Sequence, residues 1–99
     1  MIVGVLRLDI RLHAASELKQ KRSQVKRLLN RIRADYPVSA AEVGHQDLLQ
    51  RSLIGISLVS TSEKLISAVF ARIEEQVEMT GMNIIAADLE YSHYGDDVQ

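Results

Sequence analysis

The basic residues are concentrated in one short segment. Residues 16–33 contain seven of the chain's twelve Lys and Arg residues and one acidic residue, Glu17, although the whole chain of 99 residues has a formal charge of −1. Lysine and arginine make charge-assisted hydrogen bonds with phosphates and carboxylates. The segment therefore predicts contact with phosphates or with an acidic protein surface. The candidate residues are Lys19, Lys21, Arg22, Lys26 and Arg33.

A second polar cluster lies between Ala41 and Ser52, in the stretch "AEVGHQDLLQRS". Two interpretations remain open: a site that positions a ligand, and an ordinary hairpin with solvated polar groups. The adjacent leucines at 48 and 49 argue against the ordinary hairpin, because two leucines in a turn need something to cover them. His45 and Asp47 could act as an acid–base pair. No nucleophile accompanies that pair. The polar candidates are His45, Gln46, Asp47, Gln50 and Arg51.

Metal and cofactor chemistry finds little support in the residue types. There is no Cys, and His13, His45 and His93 share no short spacing. His45 and Asp47 give two ligands, fewer than a zinc site needs. There is no Gly-rich loop to hold a nucleotide, so we expect no metal and no cofactor.

Length and hydropathy narrow the class of protein. A chain of 99 residues suits one domain. No apolar run approaches the roughly 20 residues that span a bilayer, and the first residues do not resemble a signal peptide. Absence of Cys fits a reducing compartment. We therefore expect a cytoplasmic protein without a membrane partner.

The hydropathy pattern predicts six elements. Alternation at residues 2–12 and 51–60 indicates half-buried strands, a short strand is expected at 38–43, and the last strand is expected at 82–91. Ser16 is the expected cap of a first helix that ends before Pro37. Ser60, Thr61 and Ser62 are cap candidates for a second helix that Gly81 closes, and Ser60 with Glu63 matches a capping box. Residues 93–99 predict a flexible acidic tail.

The order βαββαβ predicts an α+β, ferredoxin-like fold over residues 1–92 as a single domain. Its simplest closure is a four-stranded antiparallel sheet in the order 4-1-3-2, with both helices on one face. Chain direction then brings the start of the first helix, the polar hairpin and the end of the second helix to one edge. Glu74, Glu75 and Glu78 could there neutralise the basic helix, or the cations could remain available to a partner.

Two motifs resemble a known family. "LKQKR" at 18–22 followed by "AEVGHQDLLQR" at 41–51 is similar to the YlxP-like proteins, a bacterial family without an established function. The resemblance covers residues 2–91 and implies a ferredoxin-like fold. Members often carry Trp where Leu49 stands here. Their genes often lie beside those of a translation initiation factor and a ribosome-binding factor, which implies work near the ribosome.

We therefore expect a non-enzymatic binding module that contacts RNA or the ribosome, with ribosomal RNA or a ribosomal protein as the partner. The open sheet face has no aromatic platform, so RNA contact would be electrostatic. The alternative is a homodimer that uses that open face, without nucleic acid. The predicted open-face residues are Val3, Val5, Arg7, Arg11, Leu53, Val59, Ile84, Ala86, Asp88 and Glu90.

Overall fold

The computed structural model describes residues 1–13 and 15–95. Its elements follow the order that the hydropathy pattern predicts. The strands form one antiparallel sheet in the order β2-β3-β1-β4, which is the predicted order counted from the other edge. The elements are β1 Ile2–Arg11, α1 Leu18–Asp35, β2 Ser39–Gly44, β3 Arg51–Ser60, α2 Glu63–Met79 and β4 Asn83–His93.

One hydrophobic core joins the sheet to both helices. Alternate residues of β1 and β3 are buried because successive side chains of a strand point to opposite faces. Gly4 of β1 allows α2 to pack closely, since a Cβ at this position would collide with Ile66. The central residues of the core are Leu6, Leu8, Ile10, Ile54, Ile56, Leu58, Val25, Leu28, Ile32, Ile66, Phe70, Ile73 and Val77.

The start of α1 differs from the predicted cap, whereas α2 begins at one of its three candidates. The N-cap of α1 is Glu17, whose side chain makes no capping bond, whereas Ser16 bonds through its N and Oγ to the side chain of Gln20. At α2 the candidate Ser62 is the N-cap and accepts a hydrogen bond from Leu65 N at 3.2 Å, so the predicted capping box of Ser60 with Glu63 is wrong. The first turn of α1 therefore holds neither an acidic residue nor a side-chain cap.

A bulge in β4 changes which residues face the core. Ala86 pairs with Asp9 of β1. The next pair toward the start of β4 joins Ile84 to Ile10, so that Ile85 is an extra residue. The prediction that Ile84 lies on the open face is therefore wrong: it packs against the core, and Ile85 is 45% exposed.

Strand pairing continues beyond the expected end of the domain. His93 belongs to β4 and pairs with Ile2, and the backbone N of Tyr94 donates to the carbonyl of Met1 at 2.8 Å. The ordered domain thus includes at least part of the predicted tail. The predicted flexibility of residues 96–99 lies outside the described residues and stays a prediction.

The two helices are offset along their axes. The side chain of Gln76, near the end of α2, donates to Asp35 at the end of α1 at 3.0 Å. The connectivity alone had predicted that the acidic end of α2 lies beside the basic start of α1. The acidic residues lie instead toward the end of α1; they are Glu74, Glu75 and Glu78. Burial, together with the charge of Glu78, raises the pKa of Glu74. In the described residues no ion pair joins this acidic group to α1.

Candidate functional site

The start of α1 and the β2–β3 hairpin meet at one end of the sheet, as expected. Lys21 makes the junction: its ammonium group donates to the carbonyls of His45 at 2.7 Å and Gln46 at 3.1 Å, and pairs with Glu42 at 2.7 Å. We call this end of the fold the hairpin rim. Two of the three segments predicted to meet there do so, because the helix offset moves the end of α2 away.

Lys21 is fully buried, with an exposed fraction of 0%. Its three N–H donors match one carboxylate and two carbonyls, so the charge is both neutralised and hydrogen-bonded. The hydroxyl of Ser52, also buried, donates to Glu42 at 2.6 Å. The prediction that Lys21 contacts phosphate is therefore corrected: with no exposed surface, it ties α1 to the hairpin. We call Lys21, Glu42 and Ser52 the buried latch.

Arg33 also makes bonds within the chain. Its guanidinium donates through Nε and a terminal nitrogen to the carbonyl of Ala40, and the Gln46 side chain donates to the carbonyl of Glu42 at 3.3 Å. These two carbonyls belong to β2, an edge strand of the sheet. Side chains that cover an edge disfavour pairing with other chains. Arg33 and Gln46 are thus assigned to the protection of this edge, although both remain exposed.

A second ionic cluster lies on the open face of the sheet. Arg51 makes two bonds to Asp9, at 3.1 and 2.7 Å, and His45 Nε2 lies 3.8 Å from the same carboxylate. The hydrogen bond from Arg51 is the main cause that lowers the pKa of Asp9, and the neighbouring charge of His45 acts in the same direction. Asp9, and not Asp47, is therefore the carboxylate beside His45. His45 also has a φ of 57°, in the left-handed region.

The other hairpin candidates are exposed. The side chain of Asp47 makes no hydrogen bond or ion pair within the described residues, and Gln50 contributes its backbone carbonyl, which accepts from Leu12 N at 3.0 Å. Leu48 and Leu49 are 48% and 38% exposed, so the described chain covers them only in part. These residues can meet a partner but form no enclosed site.

Three of the predicted cations remain available. Lys19, Arg22 and Lys26 are exposed, and within residues 1–13 and 15–95 no hydrogen bond or ion pair engages their charged groups. At positions i, i+3 and i+7 they follow one flank of α1. Arg33 lies further along the same flank and contacts β2, so this flank borders the β2 edge of the sheet. We call Lys19, Arg22 and Lys26 the free cations.

The predicted set missed the acidic partners Asp9 and Glu42. Glu42 pairs with Ile54, a core residue of β3, so its side chain leaves β2 on the helix-covered face. The sequence could have indicated this, because Glu42 lies two residues after the apolar Ala40 and therefore on the same face of the strand. In the described residues there is no group of three or more side chains suited to a metal ion, and no helix that is long and apolar enough to cross a membrane.

The fold and its core define a ferredoxin-like α+β domain. A de novo designed protein with a ferredoxin fold, solved by solution NMR, matches with a TM-score of 0.53, covering 99% of this chain and 89% of the designed one. At 16% identity this likeness concerns the fold alone.

Sequence comparison identifies the family. Residues 3–89 match the family described as "Protein of unknown function (DUF503)", and the chain belongs to this family. A relative from Bacillus subtilis (strain 168), "Uncharacterized protein YlxP", is 35% identical over 82 residues, which are 79% of this chain and 89% of the relative. The resemblance found in the two sequence motifs is thereby confirmed.

Proposed function

We propose that this protein is a non-enzymatic, cytoplasmic binding module that contacts RNA phosphates, with ribosomal RNA as the favoured partner. The observation that carries the proposal is the set of free cations on one flank of α1. Each is exposed, and no described carboxylate neutralises it. The acidic residues that could have done so, at the end of α2, lie toward the other end of α1.

The local energetics favour an external anion. Like charges one turn apart repel by about 0.2–0.5 kcal/mol per pair. Cations in the first turn also oppose the helix dipole, and the first turn of α1 has no acidic residue to offset them. A phosphate near this flank relieves both penalties at once. The clustering of cations at the start of α1 is unfavourable in the isolated chain, and this cost supports the proposal that the cluster binds an anion.

The expected RNA contact is electrostatic. Burial of Lys21 and internal bonding of Arg33 reduce the predicted phosphate contacts to three. Three contacts give a slope of log affinity against log salt of about −2 for single strands and about −2.7 for a duplex. The open sheet face offers no stacking residue in the paired region of β1 and β3, so sequence selectivity should be weak.

The test is co-sedimentation with ribosomal subunits across a range of salt concentrations. The variant Lys19→Ala/Arg22→Ala should bind more weakly and show a slope about 1.4–1.8 units shallower. The matched control is Lys64→Ala/Arg72→Ala, which removes one Lys and one Arg from exposed positions of α2. Equal loss in both variants would indicate a general charge effect. Binding that does not respond to salt would contradict phosphate contact and favour a ribosomal protein.

A homodimer through the open sheet face is the second candidate. Val5, Val43 and Val59 are 36%, 56% and 58% exposed on that side of the sheet. Arg7 forms its ion pair with Glu90, at 3.3 Å, within the chain, so this face presents apolar residues beside an internally balanced pair. Sedimentation equilibrium should give twice the chain mass, and Val59→Asp should give the monomer mass. A parent that is monomeric at high concentration would overturn this candidate.

A further inference from the structure

A groove lies on the flank of α1 opposite the free cations. It has a volume of about 440 Å³ and runs between the middle of α1 and residues 80–82, which connect α2 to β4. The helix offset creates it: α2 ends at Met79, and the chain turns there into β4. The groove extends along α1 from Gln24 to Arg31, about 10 Å.

The walls of the groove are mainly apolar. Leu28, a core residue, and Met82, which packs partly against the core, both line it. The turn beside it contains Gly81 with a φ of 90°, where a Cβ would meet nothing within 4 Å. Open space therefore lies beside this turn. The volume of the groove falls in the range of about 300–1,000 Å³ typical of small-molecule sites.

Two arginines give the groove its charge. Arg27 and Arg31 line it from positions i and i+4 of α1, and both are exposed. Within the described residues neither has a hydrogen bond or ion pair, and like charges at this spacing repel. Gln24 adds an amide at the other end of the same flank. An anionic group between the guanidiniums would be held by charge-assisted hydrogen bonds, with an apolar body against Leu28 and Met82.

We propose that this groove binds a small amphipathic anion, with one carboxylate or phosphate head and an apolar body. The two arginines bind the head, and the apolar walls exclude water from the body. The site is independent of the proposed RNA contact, because Arg27 and Arg31 lie on a different flank of α1 from the free cations.

The test uses anilinonaphthalene sulfonate, a fluorescent amphipathic anion, and the intact chain. We expect saturable binding at one site per chain. Arg27→Ala/Arg31→Ala should weaken it by about tenfold. The control Lys64→Ala/Arg72→Ala should change it by less than about twofold. Lys19→Ala/Arg22→Ala should also leave it intact, so that failure of this site and failure of the RNA proposal are distinguishable.

Competition identifies the ligand chemistry. Octanoate and octyl phosphate should displace the probe, and the stronger of the two identifies the head group. Octanol lacks the charge and inorganic phosphate lacks the apolar body, so neither should displace it at equal concentration. Thr80→Trp, which fills the groove from the turn, should abolish binding with both arginines in place. Probe binding that survives both Thr80→Trp and the loss of the arginines would overturn the proposal.

Discussion

Lys19 and Lys21 lie two residues apart in the first turns of α1 and have opposite environments. Lys21 points from the apolar face into the hairpin and is fully buried, whereas Lys19 is on the outer flank and exposed. The ammonium of Lys21 bonds to a carboxylate and two carbonyls. Lys19 has no partner in the described chain. The same residue type in one basic segment thus stabilises the fold in one case and is available for binding in the other.

Desolvation explains the difference. A buried ammonium loses its hydration, and the loss is tolerated only where paired charge and hydrogen bonds replace water. The buried latch provides the paired charge through Glu42. Lys21 also fixes the hairpin, because it donates to the backbone carbonyls of His45 and Gln46. The free cations keep their hydration and fix nothing. Contact with an external anion is therefore assigned to the exposed residues alone.

Removal of the buried charge should have the largest effect. Lys21→Ala leaves Glu42 partly buried without its counter-charge, and two hairpin carbonyls without a donor. Loss of one partner of a buried pair costs about 3–5 kcal/mol of unfolding free energy. Urea denaturation at neutral pH measures the change.

The control for this prediction is Lys19→Ala in the same turn. A surface substitution of this kind should change the unfolding free energy by less than about 0.5 kcal/mol. A double-mutant cycle with Glu42→Ala should show strong coupling for Lys21 and none for Lys19. If Lys21→Ala and Lys19→Ala were equally mild, the buried latch would contribute no more than a surface charge.

Asp9 on the open face is more exposed than Lys21 and less exposed than Lys19, so its substitution should have an intermediate effect on stability. Its pKa lies below the ordinary value, so the carboxylate form stabilises the folded state above that value. This contribution is lost as the pH falls through the pKa of the folded state. Asp9→Asn should therefore lower the urea midpoint at neutral pH, by less than Lys21→Ala. The difference between parent and variant should shrink below a pH of 3.8, the ordinary pKa of the group.

Asp88→Asn provides the control, because Asp88 is exposed on the same face and has no described ion pair. Its urea midpoint should follow that of the parent protein across the same pH series. A gap between Asp9→Asn and the parent that stays constant into acid would show that the pair with Arg51 is not the source of the stabilisation.

Element order was predictable because strands and helices have different periods. These signals depend only on the local backbone conformation. They are the alternation in β1 and β3, the apolar stripe of α2, and Pro37 after α1. The buried latch was partly predictable as well. Lys21 lies on the same helical face as Val25 and Leu28, and Glu42 follows Ala40 on the core face of β2. Two opposite charges on facing apolar surfaces indicate a buried pair.

The bulge and the helix offset were not predictable from local pattern. Ile84 and Ile85 are both apolar, so alternation is equally satisfied whichever of them faces the core. The choice follows from pairing with Ile10. The offset depends on how the two helices pack over the sheet, and the sequence of α1 contains no local pattern that indicates where α2 ends. The expected neutralisation of the basic helix by the acidic end of α2 depended on this offset, which the sequence does not indicate.

Charge reversal at Lys19 should have the smallest effect on stability and the sharpest effect on function. Lys19 is the second residue of α1, where a carboxylate would favour the helix dipole and a lysine opposes it. Lys19→Glu should raise the unfolding free energy by about 0.3–1 kcal/mol. The same substitution should weaken ribosome binding, because an acidic group then lies beside Arg22 in the proposed phosphate contact. A parallel urea denaturation and co-sedimentation measure both quantities.

Lys64 is the matched position, since it is the second residue of α2 and is also exposed. Lys64→Glu should stabilise the chain by a similar amount through the same dipole effect, yet leave ribosome binding unchanged. If both variants gain stability and lose binding together, net charge governs association and the flank of α1 has no special role. If Lys19→Glu alone loses binding while it gains stability, the lysine is retained at that position for a partner, at a measurable cost to the fold.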